Sequence, residues 1–313
     1  DAFEHEPVML SEIVADFGSA PSGVVLDATL GGAGHASAIL DAWDHLDLVG
    51  IDRDPDALRA AETRLAAHGE RSKLARARFD QLDQVLDDLG VDEVAGFLFD
   101  LGVSSPQLDR GDRGFSFRND GPLDMRMDPD GPQSAADFVN EAAESDIASA
   151  LQRNADERFA RRIAKAIVAS RPFTTTTQLA EVVVTAIPAA ARRSGGHPAK
   201  RTFQAIRIEI NEELSMLGPA LEAAVDRLAP GGRGLVLTYH SGEDRIVKRA
   251  FRARTDVETP PGIPVAPEPA DFVALRPLAR TASNDEVNRN RRASSARLRG
   301  IRRRDDRSAA VVS

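Results

Sequence analysis

Cysteine is absent from the 313 residues, which removes disulfide frameworks, thiolate zinc sites and cysteine nucleophiles together. Aromatic residues are scarce. One tryptophan, one tyrosine and 13 phenylalanines leave a core to be built mainly from aliphatic side chains. No uncharged apolar run approaches the roughly 18 residues that a membrane span requires, so no membrane association is expected. The six histidines, at 5, 35, 45, 68, 197 and 240, nowhere form the HxxxH pair that seeds a helical zinc site, and no metal is expected. Asp1 to Pro7 is acidic, with no apolar segment of the secretory type; a cytoplasmic location is the expectation.

The charge is also lopsided. The net value of −9 argues against a nucleic-acid partner, because binding to a phosphate backbone is largely electrostatic. From Arg280 to the end, however, ten arginines face only Asp285, Glu286, Asp305 and Asp306, so that this tail carries +6 and residues 1–279 carry −15. Segregation of this kind marks either a nucleic-acid contact or a solvated, disordered tail.

Regular alternation of strand and helix dominates the first hundred residues. Val24 to Asp27 reads as a buried strand, Ala36 to Trp43 as a helix, and Leu48 to Asp52 as a second strand. Asp54 and Pro55 then have the pattern of a cap and first residue of a helix whose inner face carries Leu58, Ala61 and Leu65. A third strand is expected to end near Phe79 and a fourth, Ala95 to Phe99, to end at Asp100. Apolar strands alternating with helices predict a doubly wound parallel sheet covered on both faces. Residues 105–132, with Pro106, Pro122, Pro129, Pro132 and four glycines, predict an ordered loop. Helical spacing alone follows, over Glu144 to Arg153, Asp156 to Ser170 and Thr177 to Ile187. Phe203, Ile206, Ile210, Leu214 and Leu217 continue at three- and four-residue spacing until Gly218-Pro219 interrupts. Leu235 to Tyr239 restores the strand pattern, and a helix from Glu243 to Arg254 follows it. The α/β domain is therefore expected in two parts, 1–105 and 203–313, around an all-helical insertion at 106–202 that would recognise substrate. Residues 256–280, with six prolines, predict a wrapped loop or linker.

In an open parallel sheet the ligand lies beyond the carboxyl ends of the strands, where the strand order reverses. Gly31, Gly32 and Gly34 permit a sharp turn and close approach to a ligand, and the next helix offers free N–H groups. Asp52 ends the following strand at about the 20-residue separation from which a carboxylate reaches a ribose diol. The spacing is not GxGxxG, since the third glycine is missing. This disfavours a nicotinamide-dependent oxidoreductase and fits an adenosine ligand without pyrophosphate, of which S-adenosylmethionine is the commonest. Phe79 is placed to cover an adenine face or to be an ordinary core aromatic, with Asp80 beside it. Asp100 is followed by Leu101-Gly102-Val103-Ser104-Ser105-Pro106-Gln107. Methyl transfer to an exocyclic amine needs acceptors that hold the NH2 and aim its nitrogen, and Asp100, Ser104 and Ser105 are the candidates. A helix cap or a cofactor ligand is the alternative for Asp100.

Several segments together resemble one family. They are His5-Glu6-Pro7-Val8, the run from Asp27 to His35, Asp52-Arg53-Asp54-Pro55, the run from Asp100 to Leu108, Arg113-Gly114-Phe115-Ser116-Phe117 and Asp120 to Asp128. Glu157 to Ala160, His197 to Ala205, and His240-Ser241 with Glu243-Asp244-Arg245 continue the series. In order and over nearly the whole chain they are similar to the RsmH (MraW) family of ribosomal RNA methyltransferases. The resemblance implies a class I S-adenosylmethionine-dependent methyltransferase fold and N4-methylation of a cytidine in the decoding region of bacterial small-subunit ribosomal RNA. It implies cofactor contacts at Ala33, Gly34, His35, Asp52, Phe79, Asp100 and Gln107, with ribosomal RNA or an assembled small subunit as partner. Two departures are Gly242, where the family carries a large apolar residue, and the alanine-rich segment 186–196. Arg113, Arg118, Arg126, Arg192, Arg193, Lys200, Arg201 and Arg245, with Lys248, Arg249 and the arginine tail, are the expected RNA contacts. A noncatalytic adenosine-nucleotide-binding RNA scaffold is the alternative function.

Overall fold

The structure, a computed structural model, describes residues 7–193, 196–256 and 270–305. The chain divides into two compact units. The first joins Asp1–Gly102 to Met216–Ser313 and the second is Val103–Ser215.

In the first unit, strands β1 (Gly23–Asp27), β2 (Leu46–Asp52), β3 (Ser72–Arg76), β4 (Val94–Asp100), β5 (Leu228–Thr238), β6 (Phe272–Ala274) and β7 (Arg297–Arg303) form one sheet in the order β3-β2-β1-β4-β5-β7-β6. Strands β1 to β5 are mutually parallel, and β7 runs antiparallel between β5 and β6. The winding reverses between β1 and β4, so the carboxyl ends of these neighbours flank the switch point. Period-two alternation sends Leu26, Phe97, Phe99 and Val236 to one core, with Leu221, Val225 and Phe251. It sends Val25, Leu98, Leu235 and Leu237 to the opposite core, with Ile13, Phe17 and Ile39. Both faces are thus covered, as the apolar strands require. Gly96 admits Phe17, whose ring carbon would lie 2.5 Å from a Cβ at that position.

Four details differ from the sequence-based expectation. Strand β3 ends at Arg76, and Phe79 opens a short 3-10 turn, Phe79–Gln81. Gly218-Pro219 does not break its helix: Glu213–Asp226 runs through both residues, and the break falls at Glu212, whose φ is 53°. Pro219 and Ser215 are both exposed, which puts the turn that loses a backbone hydrogen bond to the proline on the solvent side of the helix. The arginine-rich segment of the tail supplies β7, with Leu298 and Ile301 buried. Residues 257–269, most of the expected linker, lie outside the described residues, as do 306–313; in the described part of the expected linker the chain forms β6, Phe272–Ala274.

Several arginines of that tail are engaged by acids of the same unit. Arg299 makes two contacts with Asp244, at 2.8 and 3.1 Å. Arg303 meets Glu93 at 3.0 Å, and Arg280 pairs with Asp16 and Arg302 with Asp305.

The second unit packs helices Ala135–Glu141, Glu144–Ala155, Ala160–Ala169, Thr176–Ala186 and Lys200–Ile210 around a separate core that includes Ile147, Leu151, Ile163, Ile167, Leu179 and Val183. Phe203, Ala205 and Ile206 belong to this core, so the unit extends past the expected limit at 202. The stretch 105–132, expected as a loop, opens with a helix, Ser105–Asp109, and the rest of it is anchored by buried Phe115, Leu123 and Met125. Asn211 accepts the Met127 N–H and donates to the Met125 carbonyl, both at 2.8 Å. Gly114, at φ 72°, passes so close to Pro122 that a Cβ would collide with its carbonyl oxygen.

Candidate active site

Four strand ends meet at the switch point. Asp27, at the end of β1, is buried and accepts the Thr29 N–H at 3.2 Å. The Thr29 hydroxyl in turn accepts the Asp100 N–H at 2.6 Å, linking β1 to β4. Burial, together with the neighbouring Asp100 and Asp52 carboxylates, outweighs the Thr29 hydrogen bond and pushes Asp27 up to about 7.

The glycine turn is held from β2. Asp52 accepts the Gly31 N–H on one oxygen and the Asp54 N–H on the other, each at 2.8 Å. Burial raises its pKa against those two bonds. Gly31 and Ala33 take left-handed backbone at φ 52° and 57°, and the helix Gly34–Ala42 begins with no side-chain cap. Its first N–H groups therefore lack side-chain partners. A Cβ at Gly32 would meet nothing within 4 Å, whereas one at Gly34 would strike Pro7 at 2.5 Å. The turn is open on one side and packed on the other. Asp54 caps the next helix through the Asp56 N–H at 3.0 Å, with Pro55 at the first position, as its sequence predicts.

His35 lies buried beside this turn. Its Nε2 is 2.9 Å from the Val8 carbonyl, which can only accept, so the proton is on Nε2; its Nδ1 is 3.6 Å from Asp100. The other Asp100 oxygen accepts the Tyr239 hydroxyl at 2.7 Å. Burial, then the Asp100 carboxylate, pushes the Tyr239 phenol well above its usual range, so it keeps its proton and donates the hydrogen bond. Tyr239 follows β5 and its backbone N–H donates to Glu243 at 2.7 Å. Glu243 also accepts from the His240 N–H, while the His240 ring accepts the Gly242 N–H, both at 3.2 Å. The His240-Ser241-Gly242-Glu243 segment is thus a reciprocal cap on the helix Ser241–Thr255.

Phe79 is half-buried, edge-on to Phe99 with centroids 5.9 Å apart. Asp80 is turned to Arg78, which lowers its pKa through hydrogen bonds of 3.0 and 2.7 Å. Ala33, Gly34, His35, Asp52, Phe79 and Asp100 all lie on the first unit. Ser104 and Gln107 belong to the second, where the buried Gln107 side chain accepts the Ser104 N–H at 3.0 Å; the Ser105 side chain is outside the described residues.

The expected RNA contacts divide in two. Arg113 donates to the carbonyls of Arg126 and Met127, at 3.1 and 3.0 Å. Arg126 makes a two-pronged pair with Asp124 at 2.8 and 2.7 Å, so both arginines hold the loop together. Lys200 and Arg201 are exposed in the first turn of Lys200–Ile210. Arg245 is exposed with Lys248 and Arg249 on Ser241–Thr255. Tyr239 is the residue that sequence reasoning passed over. It is the only tyrosine of the chain and follows the strand beside β4, and those two facts together were the available signal.

Comparison with known proteins supplies the family. The MraW methylase family model matches residues 2–304. The chain belongs to that family. Among its relatives, a ribosomal RNA small subunit methyltransferase H of Mycobacterium sp. (strain KMS) is 52% identical over 311 residues, covering 96% of this chain and 84% of the relative. One of Thermobifida fusca is 51% identical over 308 residues, with 96% and 93% covered. A solved rRNA methylase from Streptococcus thermophilus aligns over 97% of this chain and 100% of its own, at 12% identity and a TM-score of 0.43. Within the MraW family assignment, the described residues hold no cluster of three or more histidine and carboxylate side chains suited to a metal ion. No described helix is long and apolar enough to cross a membrane.

Proposed function

We propose that this chain transfers a methyl group from S-adenosylmethionine to N4 of a cytidine in the decoding region of small-subunit ribosomal RNA, in the cytoplasm. The observation that carries the reading is the meeting of an open glycine turn with Asp52 and a Tyr239-held Asp100 at the switch point of a MraW-family sheet.

The residues present fit the cofactor. Gly32 leaves an open approach to the backbone, the helix after Gly34 begins uncapped, and the strand-end acids Asp52 and Asp100 suit a cationic ligand. Ala33, Gly34 and His35 would hold it along the turn, Asp52 at the ribose hydroxyls and Phe79 at the adenine. Asp100 and Gln107 complete the set of proposed contacts. When bound, it supplies an electrophilic methyl group on a sulfonium, so neither thiol nor metal is needed.

Orientation is the contribution of the chain. The cytosine N4 lone pair is delocalised into the ring, and an acceptor for the amine N–H turns the nitrogen out of conjugation and holds it in place. Asp100 is the proposed acceptor, with Ser104 and Ser105 as further candidates. The Tyr239 hydroxyl fixes one Asp100 oxygen. The methyl–sulfur bond would break as the N–C bond forms, leaving a neutral thioether, and the amine would lose one proton, for which Asp100 is the proposed acceptor before it passes to water. Lys200, Arg201 and Arg245 are the proposed contacts to RNA phosphates, and the second unit the proposed substrate-recognition domain.

The test is transfer from methyl-labelled cofactor to free small-subunit RNA and to assembled subunits, followed by digestion to nucleosides. Label in N4-methylcytidine is expected. Label in another nucleoside refutes the position, and RNA binding without transfer would indicate a scaffold.

A further inference from the structure

The second unit carries an aromatic stack that its core does not use up. Phe203 is buried, and Phe117 stands edge-on to it with centroids 5.7 Å apart and planes at 80°. His197 lies flat on Phe117, at 4.4 Å and 15°. Its ring is held a second time, because Nδ1 accepts the Ala199 N–H at 3.2 Å, just before the helix Lys200–Ile210. Phe117 is half-buried, yet His197 is exposed. An imidazole fixed parallel to a phenyl ring and left in water lies outside the buried core. With its orientation set by two contacts, little ordering remains when another flat ring is added.

The surroundings are cationic. The Arg118 guanidinium is 5.8 Å from the Phe117 ring centre, and Arg118, Lys200 and Arg201 are exposed. The nearby Asp120 carboxylate is turned to the Thr177 N–H, at 3.3 Å. A stacking surface beside several cations has the chemistry of single-stranded nucleic-acid binding: a π-face takes a base and the cations take phosphates. A duplex offers no unstacked base to such a surface.

We propose that His197, backed by Phe117, is a stacking platform for one unpaired base of the RNA substrate, with Arg118, Lys200 and Arg201 flanking the adjacent phosphates. This deepens the RNA-methyltransferase reading and rests on it. The platform tolerates any base, so it positions the strand, and sequence is read elsewhere.

The experiment uses the full chain and a labelled single-stranded RNA of about 12 nucleotides, within the span such surfaces cover. The same RNA as a duplex and an abasic sugar–phosphate strand of equal length serve as comparisons. His197→Asn removes the ring but retains an acceptor for the Ala199 N–H, whereas His197→Phe retains the ring and removes the acceptor. His197→Asn is expected to weaken single-strand binding about tenfold, equivalent to ~1.4 kcal/mol and within the range of one base stack. Its duplex and abasic binding and its salt dependence should match the wild type, and His197→Phe should bind within about twofold of it. Equal single-strand affinity for His197→Asn and wild type overturns the platform while leaving the methyltransferase reading intact. Equal losses on intact and abasic strands do the same. A wild-type chain that neither binds nor methylates RNA overturns both.

Discussion

The buried carboxyl of Asp27 makes the stability of the first unit depend on pH in a direction opposite to that of most acidic residues. Its pKa rises from 3.8 to about 7 on folding, so the folded state binds a proton more tightly than the unfolded chain. The stability linked to that proton is fully present below pH 3.8 and is lost as pH rises through about 7. Linkage between those two values gives a loss on the order of 2–3 kcal/mol between pH 5 and pH 8. Asp27→Asn keeps an acceptor for the Thr29 N–H and cannot ionise. Thermal or urea unfolding of both proteins over this range should show the wild type losing stability relative to the variant as pH rises. At about 2–4 °C per kcal/mol, the gap between melting temperatures should change by roughly 5–10 °C. Groups common to both, the histidines included, cancel in the difference. Parallel curves for the two proteins would refute the account of Asp27 as a proton-holding buried acid.

Three other substitutions separate the roles of the strand ends and the tail. Asp52→Ala should raise the cofactor dissociation constant by about 5- to 150-fold, the 1–3 kcal/mol lost when buried polar groups are left unpaired; unchanged affinity in a calorimetric titration would remove the ribose assignment. Because Asp52 also holds Gly31, a 2′-deoxyribose cofactor analogue should bind wild type and variant more nearly alike than the natural cofactor does. Tyr239→Phe removes the donor to Asp100 and should slow single-turnover methyl transfer by about 10-fold or more, within the ~1.5–3 kcal/mol of a hydrogen bond to a charged group. Cofactor affinity should change less than the rate; a rate equal to wild type would show that Asp100 needs no such support. Arg299→Ala leaves Asp244 half-buried with its main partner gone, so a loss on the order of 2 kcal/mol in unfolding free energy is expected, with no change in the salt dependence of RNA binding. A reduced salt slope would instead assign Arg299 to phosphate contact.

The fold was legible where each strand carried its signal locally. Leu26 and Asp27, Ile51 and Asp52, and Phe99 and Asp100 each combine an apolar run with a terminal acid, and each run became a parallel strand ending at the site. Strand β7 carried a signal of the opposite kind. Its outward positions are arginines, and without Asp244 and Glu93 brought beside Arg299 and Arg303 from distant parts of the chain, the segment reads as a basic tail. Pro219 misled for a similar reason. Proline interrupts a helix when the freed carbonyl is buried, and only the three-dimensional structure shows that Ser215 faces solvent. The limit expected at 202 failed because the periodicity at Phe203 and Ile206 specifies an apolar helix face without saying which core receives it.

For the site, individual residues were easier to find than their couplings. Asp52 was legible as a candidate ribose ligand from its distance along the chain, yet its grip on the Gly31 and Asp54 amides was not, because backbone donors leave no trace in side-chain spacing. The link from Asp100 to Tyr239 spans 139 residues and depends on β4 and β5 being neighbours. The segregation of −15 from +6 led to the tail as a surface for phosphate, but five of its arginines are in ion-pair contact with Asp16, Glu93, Asp244 and Asp305. Exposed cations elsewhere, of which Lys200 is one, are then the better candidates for RNA phosphates. Arg113 and Arg126 show the same distinction inside the second unit, where arginine geometry suited to phosphate is taken by carbonyls and Asp124. Net charge by segment counts cations, whereas binding depends on which of them the fold leaves facing water.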